Sequence, residues 1–234
     1  MALVTTPASA SADSYATIAF ADVYLDRLAD GNWAAKSDPN KEKLLKQSTQ
    51  DLDRWLRQHA TDEVLIGQAL SWPWMGEEIQ TSAEDGSTTT AIIAAVLQLA
   101  AYPDDHFNSG SLFIQDTADD AAPEFELNAI SDFVRSTGTL TTAAFTATVD
   151  SGDGIWIFPP VPTWLQQAVC EQAMFLNEDD QSRSGNDIQA GISQRSSQGG
   201  NITYKPHAQA QWLSAAAANL VLPYLPREPG VSRG

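Results

Sequence analysis

Positive charge is what this sequence most lacks: 13 Lys and Arg stand against 30 Asp and Glu, for a net charge of −17 at pH 7. Affinity for a polyanion comes mainly from cations that displace condensed counterions, so tight wrapping around DNA or docking on an anionic membrane is not expected. A single cysteine, Cys170, excludes an internal disulfide framework and any multi-cysteine metal site. Imidazoles are limited to His59, His106 and His207. No run approaches the roughly 20 apolar residues of a membrane span. Met1 to Ser14 has neither the basic residue nor the apolar stretch of a signal peptide, so synthesis in a cytoplasm is expected. Neither a Gly-x-Ser-x-Gly elbow nor a phosphate-cradling glycine loop followed by Lys occurs, which removes the usual signatures of nucleophilic hydrolysis and nucleotide use.

What is present is a globular composition, 43% hydrophobic over 234 residues, with an uneven distribution of charge. Residues 80–158 carry twelve carboxylates against one base, Arg135. That stretch reads as strands: Thr88 to Ala101, Leu112 to Ile114, Phe125 with Leu127, a hairpin turn at Ser136 to Thr139, Phe145 with Val149, and Ile155 to Ile157.

The flanks read as helices. Ser14 or Thr17 caps a first helix, and Asp38 with Pro39 starts a second whose Leu44, Leu45, Ser48, Leu52, Trp55 and Leu56 recur at helical spacing. Pro159 to Pro162 starts a third along Trp164, Leu165, Ala168 and Val169, and a fourth runs from about His207 to Pro223. Ala2 to Asp13 reads as a flexible arm, and Glu77 to Ser87 as a linker. The expectation is an α+β protein in which 1–79 and 159–234 form a discontinuous helical domain of about four helices. It is interrupted at 80–158 by an antiparallel β-barrel or β-sandwich.

Convergent catalytic groups are scarce. Asp104, Asp105 and His106 could offer hard oxygens and one nitrogen to a divalent cation, yet adjacent ligands on a loop also arise by chance in an acidic module. Asp119 with Asp120, and Glu178 to Asp180, are more simply solubilising. Lys36 to Lys46, with Arg54 and Arg57, is interleaved with Glu42, Asp51 and Asp53 and reads as an ordinary solvated helix face. No enzyme, cofactor or metal is expected. The candidate partner interface comprises Trp72, Trp74, Trp164, Tyr224, Leu225 and Arg227, because large rigid rings lose little entropy on burial. Trp72 and Trp74 could equally form a lid on the core.

The flanks resemble a known family. Ser14 to Thr17, Ala21 to Leu25, Trp33, Lys41 to Leu56 and Gln68 to Pro73 are similar to the N-terminal half of tailed-phage head-tail connector proteins, some of which carry a DnaT-like single-stranded-DNA-binding label. Pro159 to Glu178, Gly191 with Ile192, Ile202 to Tyr204, and Trp212 to Leu225 resemble the second half. The resemblance implies a virion structural protein: a ring-forming, dodecameric adaptor in the neck that docks on the portal, meets stopper or tail proteins and lets genomic DNA pass without specific binding. A stopper or tail-completion protein is the alternative within that class. A single-stranded-DNA-binding protein is the alternative outside it, and the acidic balance argues against the basic groove with stacking aromatics that such a protein would use.

Overall fold

The structure, a computed structural model, describes residues 3–27, 31–59, 67–74, 76–99, 101–117, 123–179, 192–194, 203–204 and 213–225. The chain divides into two compact units. One contains Met1–Leu3, Ser14–Thr61 and Thr163–Gly234, and the other Val4–Asp13 and Asp62–Pro162.

The helical unit draws on both ends of the chain. Helix α1 (Ile18–Asp26) begins where Thr17 Oγ1 accepts the Phe20 N–H at 3.1 Å, a side-chain cap that satisfies one of the free first-turn donors. A short α2 (Gly31–Ala34) follows. Helix α3 (Asp38–His59) buries Leu45, Ser48, Leu52 and Leu56 completely, one stripe at the spacing expected. Helix α4 (Thr163–Asp179) contributes Leu165, Ala168, Val169 and Ala173 to the interior and packs against α1, α3 and α5 (Ala215–Val221). Ser214 caps α5, its Oγ accepting from the Ala217 N–H at 3.0 Å. Each fully buried leucine contributes about 1.5–3 kcal/mol, so the stripe on α3 is the main bond between the N-terminal and C-terminal parts of this unit. A two-stranded piece pairs β7 (Ile192–Gln194) with β8 (Thr203–Tyr204).

The second unit is one antiparallel sheet of six strands in the order β1-β6-β3-β4-β5-β2. The strands are β1 (Ile79–Ser82), β2 (Ala91–Ile93), β3 (Ser111–Asp116), β4 (Leu127–Val134), β5 (Thr139–Thr142) and β6 (Gly154–Phe158). Register shifts at Ile114/Asp116 and Ile130/Asp132 bend β3 and β4, and the sheet curls into a half-barrel around Ile92, Leu97, Phe107, Leu112, Ile130 and Ile157. The α+β expectation therefore holds, with an open curled sheet as the β module.

Several elements differ from the sequence reading. The arm is folded: Asp13 Oδ1 accepts from the Val4 N–H at 2.9 Å, and the Pro7 carbonyl accepts from Ser111 Oγ at 2.7 Å. The expected linker contains β1, which pairs with β6 from Ile79↔Ile157 to Ser82↔Gly154. Thr88 to Ala101 is strand only over β2, because Thr88 Oγ1 accepts from Thr90 and Ala91 N–H groups and turns the chain before it, and a 3-10 turn at Ala95–Gln98 follows. Phe145 and Val149 are buried in the core without forming a strand. No described helix is long and apolar enough to cross a membrane. Arg227, His207, Trp212, Asp119, Asp120 and Asp180 lie outside the described residues.

Gly110 shows how closely the sheet is built. A Cβ there would run into the carbonyl oxygens of Phe158 and Phe107, and its own N–H donates to Phe107 O at 2.8 Å. Gly110→Ala is expected to cost about 1–3 kcal/mol by overpacking, read as a lowered urea midpoint. Gly152→Ala meets no neighbour within 4 Å and carries only the strain of φ +98°, so it should cost less.

Candidate nucleic-acid interface

Helix α3 sorts its charges by face. At 100° per residue, Lys43, Lys46, Gln47, Gln50, Arg54 and Arg57 fall within an arc of about 100° that points directly away from the buried stripe. All are exposed except Lys46, which is half-buried. The arc contains no carboxylate of α3. From Lys43 to Arg57 it runs for about 21 Å at 1.5 Å per residue.

Of the four acids of α3, Asp38 is exposed in the first turn, Glu42 is half-buried, and Asp51 and Asp53 are drawn toward the interior. Asp53 is buried, accepting the Tyr15 hydroxyl at 2.7 Å on one oxygen and Arg57 Nε at 2.9 Å on the other. Asp51 is half-buried and its Oδ2 accepts from Gln172 Nε2 of α4 at 3.3 Å. Burial raises its carboxyl above the ordinary range, outweighing the Gln172 bond and the Arg54 charge. The same glutamine holds α5, its Oε1 accepting the Ser214 N–H at 2.8 Å. The cations are thus gathered on the outward side, with Glu42 and Asp51 half-buried beside them and Asp53 paired to Arg57.

Lys41 is also spent internally. Its Nζ donates to Asp22 Oδ1 at 2.8 Å and lies 5.6 Å from the Trp33 ring centre, while Trp33 Nε1 donates to the same oxygen at 2.8 Å. Burial works to raise the Asp22 carboxyl, but the Lys41 ammonium and the Trp33 indole outweigh it and hold the group below its ordinary value.

The whole-chain charge hides a division between the units. The sheet unit holds seventeen carboxylates and one base, Arg135, whereas the helical unit holds thirteen carboxylates and twelve bases. Nearly all of the −17 therefore belongs to the sheet unit, and the helical unit is close to neutral. An expectation of uniform DNA repulsion drawn from net charge fails for this reason.

Of the residues expected to form a partner interface, Trp72 and Trp74 belong to the sheet unit, and Trp164, Tyr224 and Leu225 to the helical unit. Trp72 and Trp74 are buried, 3% and 7% exposed, which favours the lid reading and leaves little of either ring for a partner. Trp164 stacks on Tyr224 with ring centres 4.5 Å apart and planes 5° apart, and Tyr224 is 52% exposed with Leu225 half-buried beside it. Asp104, Asp105 and His106 do not converge. Asp104 accepts from the Arg135 N–H, Asp105 from Asn108 Nδ2, and the His106 ring packs edge-on to Phe107. Among the described residues no group of three or more His, Cys, Asp or Glu is placed to hold a metal ion. The Cys170 thiol is buried and pushed up to about 12, first by burial and then by the neighbouring Glu171, which keeps it protonated and inert.

The Asp22 cluster gives a pH test. A carboxyl depressed in the folded state contributes stability above its unfolded value, and that contribution is lost as pH falls through the folded value. Asp22→Asn should therefore lower stability near neutrality and flatten the acid limb below about pH 4, checked by urea titrations from pH 7 to pH 2.

Residues 1–122 match the model of the family described as "Putative DnaT-like ssDNA binding protein". No curated protein and no solved structure matches the chain. The matched span includes all of α1 to α3 and the start of the sheet unit through β3. The match overturns the head-tail adaptor reading, with its portal, tail and neck assignments. What the matched family's description names is single-stranded DNA binding, the alternative that the acidic balance had counted against.

Proposed function

We propose that this chain, which belongs to the DnaT-like single-stranded-DNA-binding family, binds single-stranded DNA along the outward stripe of α3. The observation that carries the reading is the grouping of cations on that helix: Lys43, Lys46, Arg54 and Arg57 share one face with Gln47 and Gln50, while Asp51 bonds Gln172 and Asp53 bonds Tyr15 and pairs with Arg57 at the edge of that face. Lys and Arg on such a ridge neutralise phosphates, and the glutamine amides donate to phosphate or sugar oxygens without reading sequence. The described stripe contains no aromatic ring, so contact is with the backbone and base preference is weak.

Single strands are favoured over duplex for an electrostatic reason. Duplex DNA carries one negative charge per roughly 1.7 Å of axis, so the sheet unit, with seventeen carboxylates and one base, repels it more strongly than a single strand. A single strand has a lower charge density and bends to follow one helix. The reading assigns a binding role and no catalytic step.

The salt dependence is fixed by the number of cations. With three or four phosphates neutralised, the logarithm of the association constant should fall with the logarithm of salt at a slope of about −2 to −3 for a single strand. Fluorescence anisotropy with a labelled oligothymidylate at low salt measures it. Lys43→Glu combined with Arg54→Glu should abolish most of the binding, since both residues are exposed and their replacement leaves the core intact. Retained affinity in that variant, or no binding by the unaltered chain at low salt, would defeat the proposal.

A further inference from the structure

The outward face of the sheet unit carries a row of side chains that the DNA-binding reading does not use. The register places Gln80 opposite Trp156, Trp156 opposite Phe113, and Phe113 opposite Leu127, one straight line across β1, β6, β3 and β4. Their strand neighbours Leu112, Ile114, Ile155 and Ile157 point the other way and are fully buried, so the row faces away from the core. The Phe113 and Trp156 ring centres are 6.0 Å apart.

Phe125 extends the row from the turn before β4. Its ring centre is 6.4 Å from Phe113, it is 68% exposed, and it holds φ at +61°, a conformation unfavourable for a bulky side chain. The backbone fixes it there: Phe125 N–H donates to Ile114 O at 2.8 Å, and Ile114 N–H to Glu126 O at 2.9 Å. A groove of about 330 Å³ runs beside these rings, walled by Ala8, Ser9, Ala10 and Gln68.

We infer that this aromatic face and its groove dock a basic polypeptide segment that carries apolar side chains. The charge identifies the occupant. Asp116 and Glu124 stand on the strand and turn that present Phe113 and Phe125, Glu126 is bonded to Thr146, Glu78 is tied to Gln80 at the other end of the row, and the unit has one base against seventeen carboxylates. A phosphodiester chain is repelled by that setting. A Lys or Arg side chain is attracted three ways: its methylene stem covers the rings, its cation faces their negative π surface, and its N–H groups reach the flanking carboxylates. Apolar side chains of the same segment fill the groove. The two units thus take ligands of opposite charge.

The test uses the full chain and two short peptides, one alternating lysine with leucine and one alternating glutamate with leucine, titrated by calorimetry. Phe125→Gly removes the exposed ring and suits the left-handed backbone, so folding should be kept; Trp156→Ala is the second variant, and the melting temperature of each is checked. The expected result is binding of the lysine peptide alone, weakened at least about tenfold by either variant, the loss typical of an aromatic anchor, although neither changes the net charge. Affinity unchanged in a folded variant would mean attraction by bulk charge only, and would overturn the inference. So would loss of oligothymidylate binding in Phe125→Gly with peptide binding intact, because the face would then belong to nucleic acid.

Discussion

The burial of a single stripe on α3 against the helices from the far end of the chain governs both the fold and the surface. Leu45, Ser48, Leu52 and Leu56 are removed from water, and the helix can satisfy them only in one rotation about its axis. That rotation carries Asp53 to Tyr15 and Asp51 to Gln172, where hydrogen bonds offset the cost of taking carboxylates out of water. With these two acids so placed, the outward arc from Lys43 to Arg57 presents cations and amides, Arg57 being paired to Asp53 at its edge. The basic ridge is therefore a consequence of core packing, on a helix with five bases against four acids.

The same principle operates in the sheet with period two. Alternation sends Leu112, Ile114, Ile155 and Ile157 into the half-barrel and leaves Phe113 and Trp156 outside. The two bulges curl the sheet and Gly110 permits the close approach of β3 to Phe158. An acidic surface around the exposed Phe125 and the half-buried Phe113 and Trp156 rings, and a basic ridge on a near-neutral bundle, give one chain two chemically distinct faces.

Periodicity made much of this legible in the sequence. The spacing of the α3 leucines, the Thr17 cap, the Pro-led start of α4 and the hairpin around Gly138, whose φ of +64° suits glycine, all follow from local rules. What failed was what local rules cannot carry. β1 is a short strand of mixed polarity, and its pairing with β6, more than 70 positions away, decides its conformation. The arm looked flexible because its composition is small and polar, but the anchors that hold it, Ser111 and Ala69, are distant in sequence. The ridge was hidden for a related reason: charges were counted along the chain, where Asp51 and Asp53 cancel Arg54 and Arg57. Reading the same segment at 100° per residue would have revealed it. Net charge misled in the same way, since −17 averages over two units of very different character.

The most direct measurement is the footprint of an oligothymidylate on the full chain by amide hydrogen exchange or by lysine and arginine labelling. The account predicts protection of the Lys43, Lys46, Arg54 and Arg57 side chains on α3, with no change along Phe113, Phe125 and Trp156. Protection confined to the sheet unit, with the α3 cations as reactive as in the free protein, would contradict it.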